Sequence, residues 1–215
     1  RKRMYNQRIV RVAGFVAAAL LVAFGAMAQG DQTERIVVPL SNPGQPATLE
    51  VGMMTGSIAV TAYEGSEIIV VATMETEDDE GERKDGMMRI PNTSIGLTIE
   101  ESDNKVSVEA DWSANATRIE VQVPAATSLH LSTVNGGDIE VEGVSGVHEL
   151  TNVNGGITAL EVSGTVVAST TNGPVVVSFV SIDADVPMSF STFNGEVDLT
   201  LPASTTADLH LNSGR

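Results

Sequence analysis

RIEVQVPAATSLHLSTVNGG (118–137), DIEVEGVSGVHELTNVNGG (138–156), ITALEVSGTVVASTTNG (157–173), PVVVSFVSIDADVPMSFSTFNG (174–195) and EVDLTLPASTTADLHLNSGR (196–215) are five near-repeats of 20, 19, 17, 22 and 20 residues. Each opens on alternating apolar residues, turns at a Val or Pro, runs a second short alternating stretch and closes at Gly. Four close on Asn-Gly, at Asn135, Asn154, Asn172 and Asn194, and the fifth on Asn212-Ser213-Gly214. Ile119, Ile139, Ile157, Val175 and Val197 form one apolar column. Val121, Val141, Ala159, Val177 and Leu199 form a second, and Leu131, Leu150, Ala168, Phe190 and Leu211 a third. Glu120, Glu140, Thr158 and Asp198 fall between the columns. Period-2 alternation of this kind is a strand with one buried face. Its recurrence about every 20 residues is the pattern of units that bury their apolar face only by stacking.

The expected fold is therefore all-β, a parallel β-solenoid in which consecutive repeats stack as rungs. The alternative takes each Asn-Gly as a hairpin turn and gives an antiparallel sandwich or meander. A hairpin explains one Asn-Gly but not the recurring columns. The solenoid domain is placed at 47–215, with irregular rungs over 47–117 and regular ones over 118–215. The pattern stops at Arg215 within the fifth repeat, so a C-terminal rung and cap are expected to be missing, leaving an open strand edge.

Upstream, residues 29–46 read as a linker and N-terminal strand, with the turn-rich Ser41-Asn42-Pro43-Gly44-Gln45-Pro46-Ala47 at its end. Residues 75–86 are a charged loop, without the alternating acids of an EF-hand calcium site. Residues 1–28 read as a signal peptide. Arg1, Lys2, Arg3, Arg8 and Arg11 precede an apolar run from Val12 to Phe24, and Ala26-Met27-Ala28 supplies the small-x-small cleavage pattern. An uncleaved anchor is the alternative, because Val12 to Ala28 is near the shortest length that spans a bilayer.

From Gln29 onward the chain holds all 28 acidic residues and seven of the 12 basic ones, a formal charge of −21. Such a chain repels phosphate backbones and anionic membrane surfaces, so nucleic acid is not an expected partner, and membrane is one only through an uncleaved leader. With no Cys, there is no thiol nucleophile, thiolate metal site or disulfide, and stability falls to burial and backbone pairing.

The closures Ser132-Thr133-Val134-Asn135-Gly136 and Ser191-Thr192-Phe193-Asn194-Gly195, and the turns Gly143-Val144-Ser145-Gly146 and Glu161-Val162-Ser163-Gly164, resemble a bacterial family of exported β-solenoid "putative adhesin" domains. The similarity covers about residues 47 to 215. It implies a noncatalytic envelope or surface role and carries no family site residues.

Catalytic, cofactor and metal sites are not expected. Of the histidines, His130 is expected beside Glu149 as a surface pair, His210 occupies the same column as His130, and His148 falls in an otherwise apolar column. Asp138, Glu140, Glu142 and Glu120 are expected to share one face. Acidic clusters on β-helix faces serve polysaccharide lyases and hydrolases, but no Lys or Arg lies between Ile119 and Gly214 to hold a sugar. The functional expectation is an exported, adhesin-like binding or structural module, not an enzyme. It would sit in the periplasm, at the cell surface or outside the cell, with a protein or surface glycan as partner. A carbohydrate-active enzyme and an envelope-stress sensor or scaffold are the alternatives.

Overall fold

The computed structural model describes residues 8–10, 32–74, 96–110, 117–183 and 185–212. The apolar run from Val12 to Phe24 with Ala26-Met27-Ala28, expected as part of a signal peptide, and residues 75–86, expected as a charged loop, lie outside these residues. The strands are β1 (Arg8–Val10), β2 (Gln32–Pro39), β3 (Ala47–Tyr63), β4 (Glu67–Met74), β5 (Leu97–Ser102), β6 (Lys105–Ala110), β7 (Thr117–Pro124), β8 (Thr127–Asn135), β9 (Ile139–Glu142), β10 (Ser145–Asn152), β11 (Ile157–Asn172), β12 (Val175–Ile182), β13 (Ser189–Asn194) and β14 (Val197–Thr200).

They form one 14-stranded sheet folded into two arms. β3 and β11 are long enough, at 17 and 16 residues, to run through both. One arm has the order β2–β4–β7–β3–β9–β11–β12–β14, using the C-terminal half of β3 and the N-terminal half of β11. The other has the order β1–β5–β6–β3–β8–β10–β11–β13 and uses their opposite halves.

Apolar residues at every second position of both arms make one core. It includes Leu49, Val51, Ile58, Val60, Ile119, Leu129, Leu131, Ile139, Leu150, Ile157 and Val175, all 2% exposed or less. Each such side chain contributes about 1.5–3 kcal/mol by leaving water, and in a chain without cysteine that burial is the main stabilising term.

This pairing overturns the solenoid of chain-ordered rungs. The parallel pairings β3–β8, β8–β10, β10–β11, β11–β9 and β9–β3 close on themselves as a five-stranded parallel barrel, to which the other strands are added. Ile119 does not stack on Ile139, because β3 lies between them and Ile58 pairs with both. β4 runs antiparallel to β2 and to β7, and β5 antiparallel to β6. Among the described residues the fifth repeat supplies only Val197–Thr200 as strand.

The physical reason is in β3. Its Leu49 and Val51 have the spacing of Leu129 and Leu131, and its Ile58 and Val60 that of Ile119 and Val121. One long strand therefore fits between repeats that look consecutive in sequence. The hairpin alternative fails as well: after Asn135 the chain leaves β8 in one arm and enters β9 in the other, so that Asn-Gly does not turn a strand back onto its neighbour.

The repeat closures are held by contacts between strands. The Asn side chains form an exposed ladder, with Nδ2 of Asn154, Asn172 and Asn194 donating to Oδ1 of Asn135, Asn154 and Asn172 at 2.9, 2.8 and 2.7 Å. Behind it runs a second, inward ladder. Thr133 Oγ1, Asn152 Nδ2, Thr170 Oγ1 and Thr192 Oγ1 donate to the carbonyls of Gly56, Gly137, Gly155 and Gly173 at 2.8–2.9 Å. Those carbonyls approach so closely that a Cβ at Gly155 would collide with Gly137, and one at Gly173 with Gly155.

Candidate binding groove

Side chains that point away from the core on the β4–β7–β3–β9–β11 arm line a groove of about 620 Å³. Its floor follows from register. Ala59 on β3 sits between Glu120 on β7 and Glu140 on β9, and Thr61 sits between Gln122 and Glu142. Small residues on the central strand, flanked by long ones on either side, make a trough. Arg35 and Val71 stand along one wall, and Thr158 and Leu160 along the other.

Arg118 bridges the trough. Its Nε donates to Glu120 Oε1 at 2.8 Å, and its Nη2 lies 3.6 Å from Glu140 Oε2. The hydrogen bond that Arg118 donates to Glu120 is the main cause that raises the Arg118 pKa above its ordinary value; partial burial opposes it, and the charges of Glu120 and Glu140 add to it. All three side chains are about half exposed, so the network holds positions more than it stabilises the fold. Sequence reading placed Glu120, Glu140 and Glu142 together correctly but missed Arg118, which lies one residue before the alternating run. The available signal was its spacing: two residues apart on a strand, Arg118 and Glu120 must share a face.

Asp138 does not join this groove. Its Oδ1 accepts a hydrogen bond from the Gly156 amide at 2.6 Å and ties one repeat closure to the next. His130 is where the sequence put it, with Nδ1 3.2 Å from Glu149 Oε2 on the outer face of the other arm. Glu50, its neighbour on β3, pairs with Lys105 at 2.7 Å. His210 lies in an exposed segment without strand pairing, away from the column that it shares in sequence with His130.

His148 is fully buried between Leu129 and Val166, and neither ring nitrogen has a hydrogen-bond partner of good geometry. Burial lowers its pKa, an effect partly offset by the nearby backbone of Val144 and Ser163. Among the described residues no group of three His, Asp or Glu side chains is arranged to hold a metal ion. The groove can accept hydrogen bonds through Glu120, Glu140 and Glu142, donate them through Arg118 and Gln122, and offer apolar contact at Val71 and Leu160.

No family model and no curated protein matches the chain. Among solved structures it is similar to a "putative cell adhesion protein" from Clostridium sporogenes, with 9% identity over 80% of this chain and 99% of that one, at a TM-score of 0.44. A "putative adhesin" from Bacteroides fragilis follows, with 10% identity over 80% and 98% of the two chains and a TM-score of 0.32. Another from Parabacteroides distasonis has 9% identity over 79% and 78%, at 0.30.

Proposed function

We propose that this protein is an exported, noncatalytic binding module of the cell envelope, adhesin-like, whose outer groove holds an extended, hydroxyl-rich surface glycan. The carrying observation is the Arg118–Glu120–Glu140 network across a trough floored by Ala59. Carboxylates on β7 and β9, about 10 Å apart across β3, and a guanidinium that reaches from β7 toward both present acceptors and donors held by the sheet, which lowers the cost of ordering them on binding. Val71 and Leu160 can pack against the C–H faces of sugar rings. The surrounding acidity disfavours polyanionic glycans and favours neutral or cationic ones. Arg118 occupies the space beside both carboxylates, which suits holding a ligand better than moving a proton.

The test is calorimetric titration of the full chain with neutral oligosaccharides from envelope polysaccharides, against the Arg118→Met and Glu140→Gln variants. At least a tenfold loss of affinity in both, with unchanged thermal unfolding, is the expected result. Binding that ignores both substitutions would remove the groove from consideration. The carboxylates on one face keep a carbohydrate-active enzyme as the second reading. Release of reducing ends from the same oligosaccharides, lost in Glu140→Gln, would establish it in place of the binding module.

A further inference from the structure

At the far end of the β8–β10–β11 arm, β13 pairs with β11 along one side, and among the described residues no strand covers its other side. The core does not finish there: Met188 and Phe190 pack against it only partly buried. Close by in sequence, Ala207–Asn212 has no strand pairing, and its Leu209 and Leu211 are 67% and 86% exposed. Two apolar side chains in water and an unfinished apolar edge a short stretch of chain away are complementary features.

The sequence of that segment matches a strand already placed in the sheet. Asp208-Leu209-His210-Leu211 repeats Ser128-Leu129-His130-Leu131 of β8, which pairs in parallel with β3 on one side and β10 on the other. The register continues through Leu131, Leu150, Ala168 and Phe190, which are paired in series. Leu211 is next in that series. The connection is also long enough. Six residues, 183–188, carry the chain from β12 in one arm to β13 in the other. Six residues, 201–206, separate β14 from Ala207, and they already contain a turn closed from the Thr205 amide to the Pro202 carbonyl at 2.9 Å.

We propose that Ala207–Asn212 is a strap that closes on the β13 edge of its own chain as an added parallel strand, with Leu211 beside Phe190 and His210 beside Ser189. Closure buries the leucines, satisfies the free backbone groups of β13 and moves the open edge outward from β13 to the strap. A short tether makes the segment's effective concentration at its own edge on the order of millimolar, so its own chain outcompetes a second copy in dilute solution. This inference is independent of the binding groove.

Because the chain has no cysteine, a Ser189→Cys/His210→Cys pair reports the strap without background. Under mild oxidation the expected product is a monomer lacking two hydrogens, formed at the same rate at all dilutions. The pair Ser189→Cys/Asp208→Cys, two residues out of register, should close at least tenfold more slowly. Disulfide-linked dimers would instead assign the edge to a second copy. Persistent free thiols, or equal rates for the two pairs, would overturn the strap. In the cysteine-free chain, Leu211→Asp should speed hydrogen exchange of the β13 amides at least tenfold; no change would also count against it.

Discussion

Around β5, β6 and the 41–46 turn the chain is held by a hairpin and one buried polar clasp; between β8 and β14 it is held by ladders that repeat. In the first region β5 and β6 form a hairpin through Asp103 and Asn104, both at positive φ. Glu101, 6% exposed, accepts hydrogen bonds from the Ser41 amide, the Ser41 hydroxyl and the Asn104 amide at 3.0, 2.9 and 3.1 Å. Asn104 in turn exchanges hydrogen bonds with the Asn42 backbone at 2.7 and 2.8 Å. In the second region no single contact is special, since each closure repeats the glycine, the inward hydroxyl or amide, and the outward Asn of the one before it. A clasp concentrates stability in a few groups, whereas a ladder distributes it but requires every backbone to fit against the next.

That requirement sets the largest expected effect. Gly155→Ala should destabilise the protein by about 3 kcal/mol, because the new Cβ meets the Gly137 carbonyl and the backbone must part. Gly44, at φ +85 with open space around it, should lose only about 1 kcal/mol on the same change. Urea unfolding of the two variants decides the matter. Equal losses would mean that positive φ, and not the close approach of backbones, explains the repeat glycines.

The clasp comes next. Glu101→Ala removes a buried acceptor of three hydrogen bonds and leaves the Asn104 amide without its partner, for a loss of about 2–3 kcal/mol. Hydrogen exchange should rise in β5 and β6 and remain slow in β10 and β11. Uniform acceleration would show that the two regions unfold as one unit and erase the distinction between them.

These two regions also differ in how far the sequence disclosed them. Alternation made every repeat strand legible, and the columns Ile139, Ile157, Val175, Val197 and Leu131, Leu150, Ala168, Phe190 are paired as aligned. The order of stacking was not legible. Period-2 patterning says which face is buried but not which strand lies alongside, so Ile58 could displace Ile119 from Ile139 without changing any local signal. The Glu101 clasp was hidden for a related reason: two of its three donors, both on Ser41, are 60 residues away in sequence, and Glu at a strand position ordinarily points outward. Glu140 and Glu142 were placed on one face by i, i+2 spacing, and Glu120 joined them by its matching position in the repeat. The trough needed Ala59 between them, which depends on the strand order.

His148 separates a polar group that the ladder uses from one that it only tolerates. His148→Leu should raise stability by about 1–2 kcal/mol at neutral pH, since an apolar side chain then meets Leu129 and Val166 in place of an unpartnered imidazole. Its folded-state pKa is lowered by burial, so the unfolded chain takes up the proton first as pH falls. The His148 contribution is therefore constant above about pH 6.5 and turns increasingly unfavourable as pH drops from there toward the lower folded value. Thermal unfolding of wild type and variant between pH 7.5 and 5.5 should diverge toward acid. Parallel curves would mean that the imidazole finds a partner when charged.

The smallest effect sharpens the comparison most, because it asks whether the exposed Asn ladder acts as a chain or as separate pairs. Asn172 both donates to Asn154 and accepts from Asn194, at 2.8 and 2.7 Å, whereas Asn135 accepts once, at 2.9 Å. At about 0.5–1 kcal/mol for each exposed hydrogen bond, Asn172→Ala should lose about 1–2 kcal/mol and Asn135→Ala about half of that. The double variant tests coupling. Asn135 and Asn172 share no hydrogen bond but are joined through Asn154, so independent pairs give additive losses. A polarised chain gives a double loss smaller than the sum, because breaking either end already weakens the bond at the other. If Asn172→Ala were no worse than Asn135→Ala, the amides would be passengers on the backbone, and the inward ladder of Thr133, Asn152, Thr170 and Thr192 would be what registers one closure on the next.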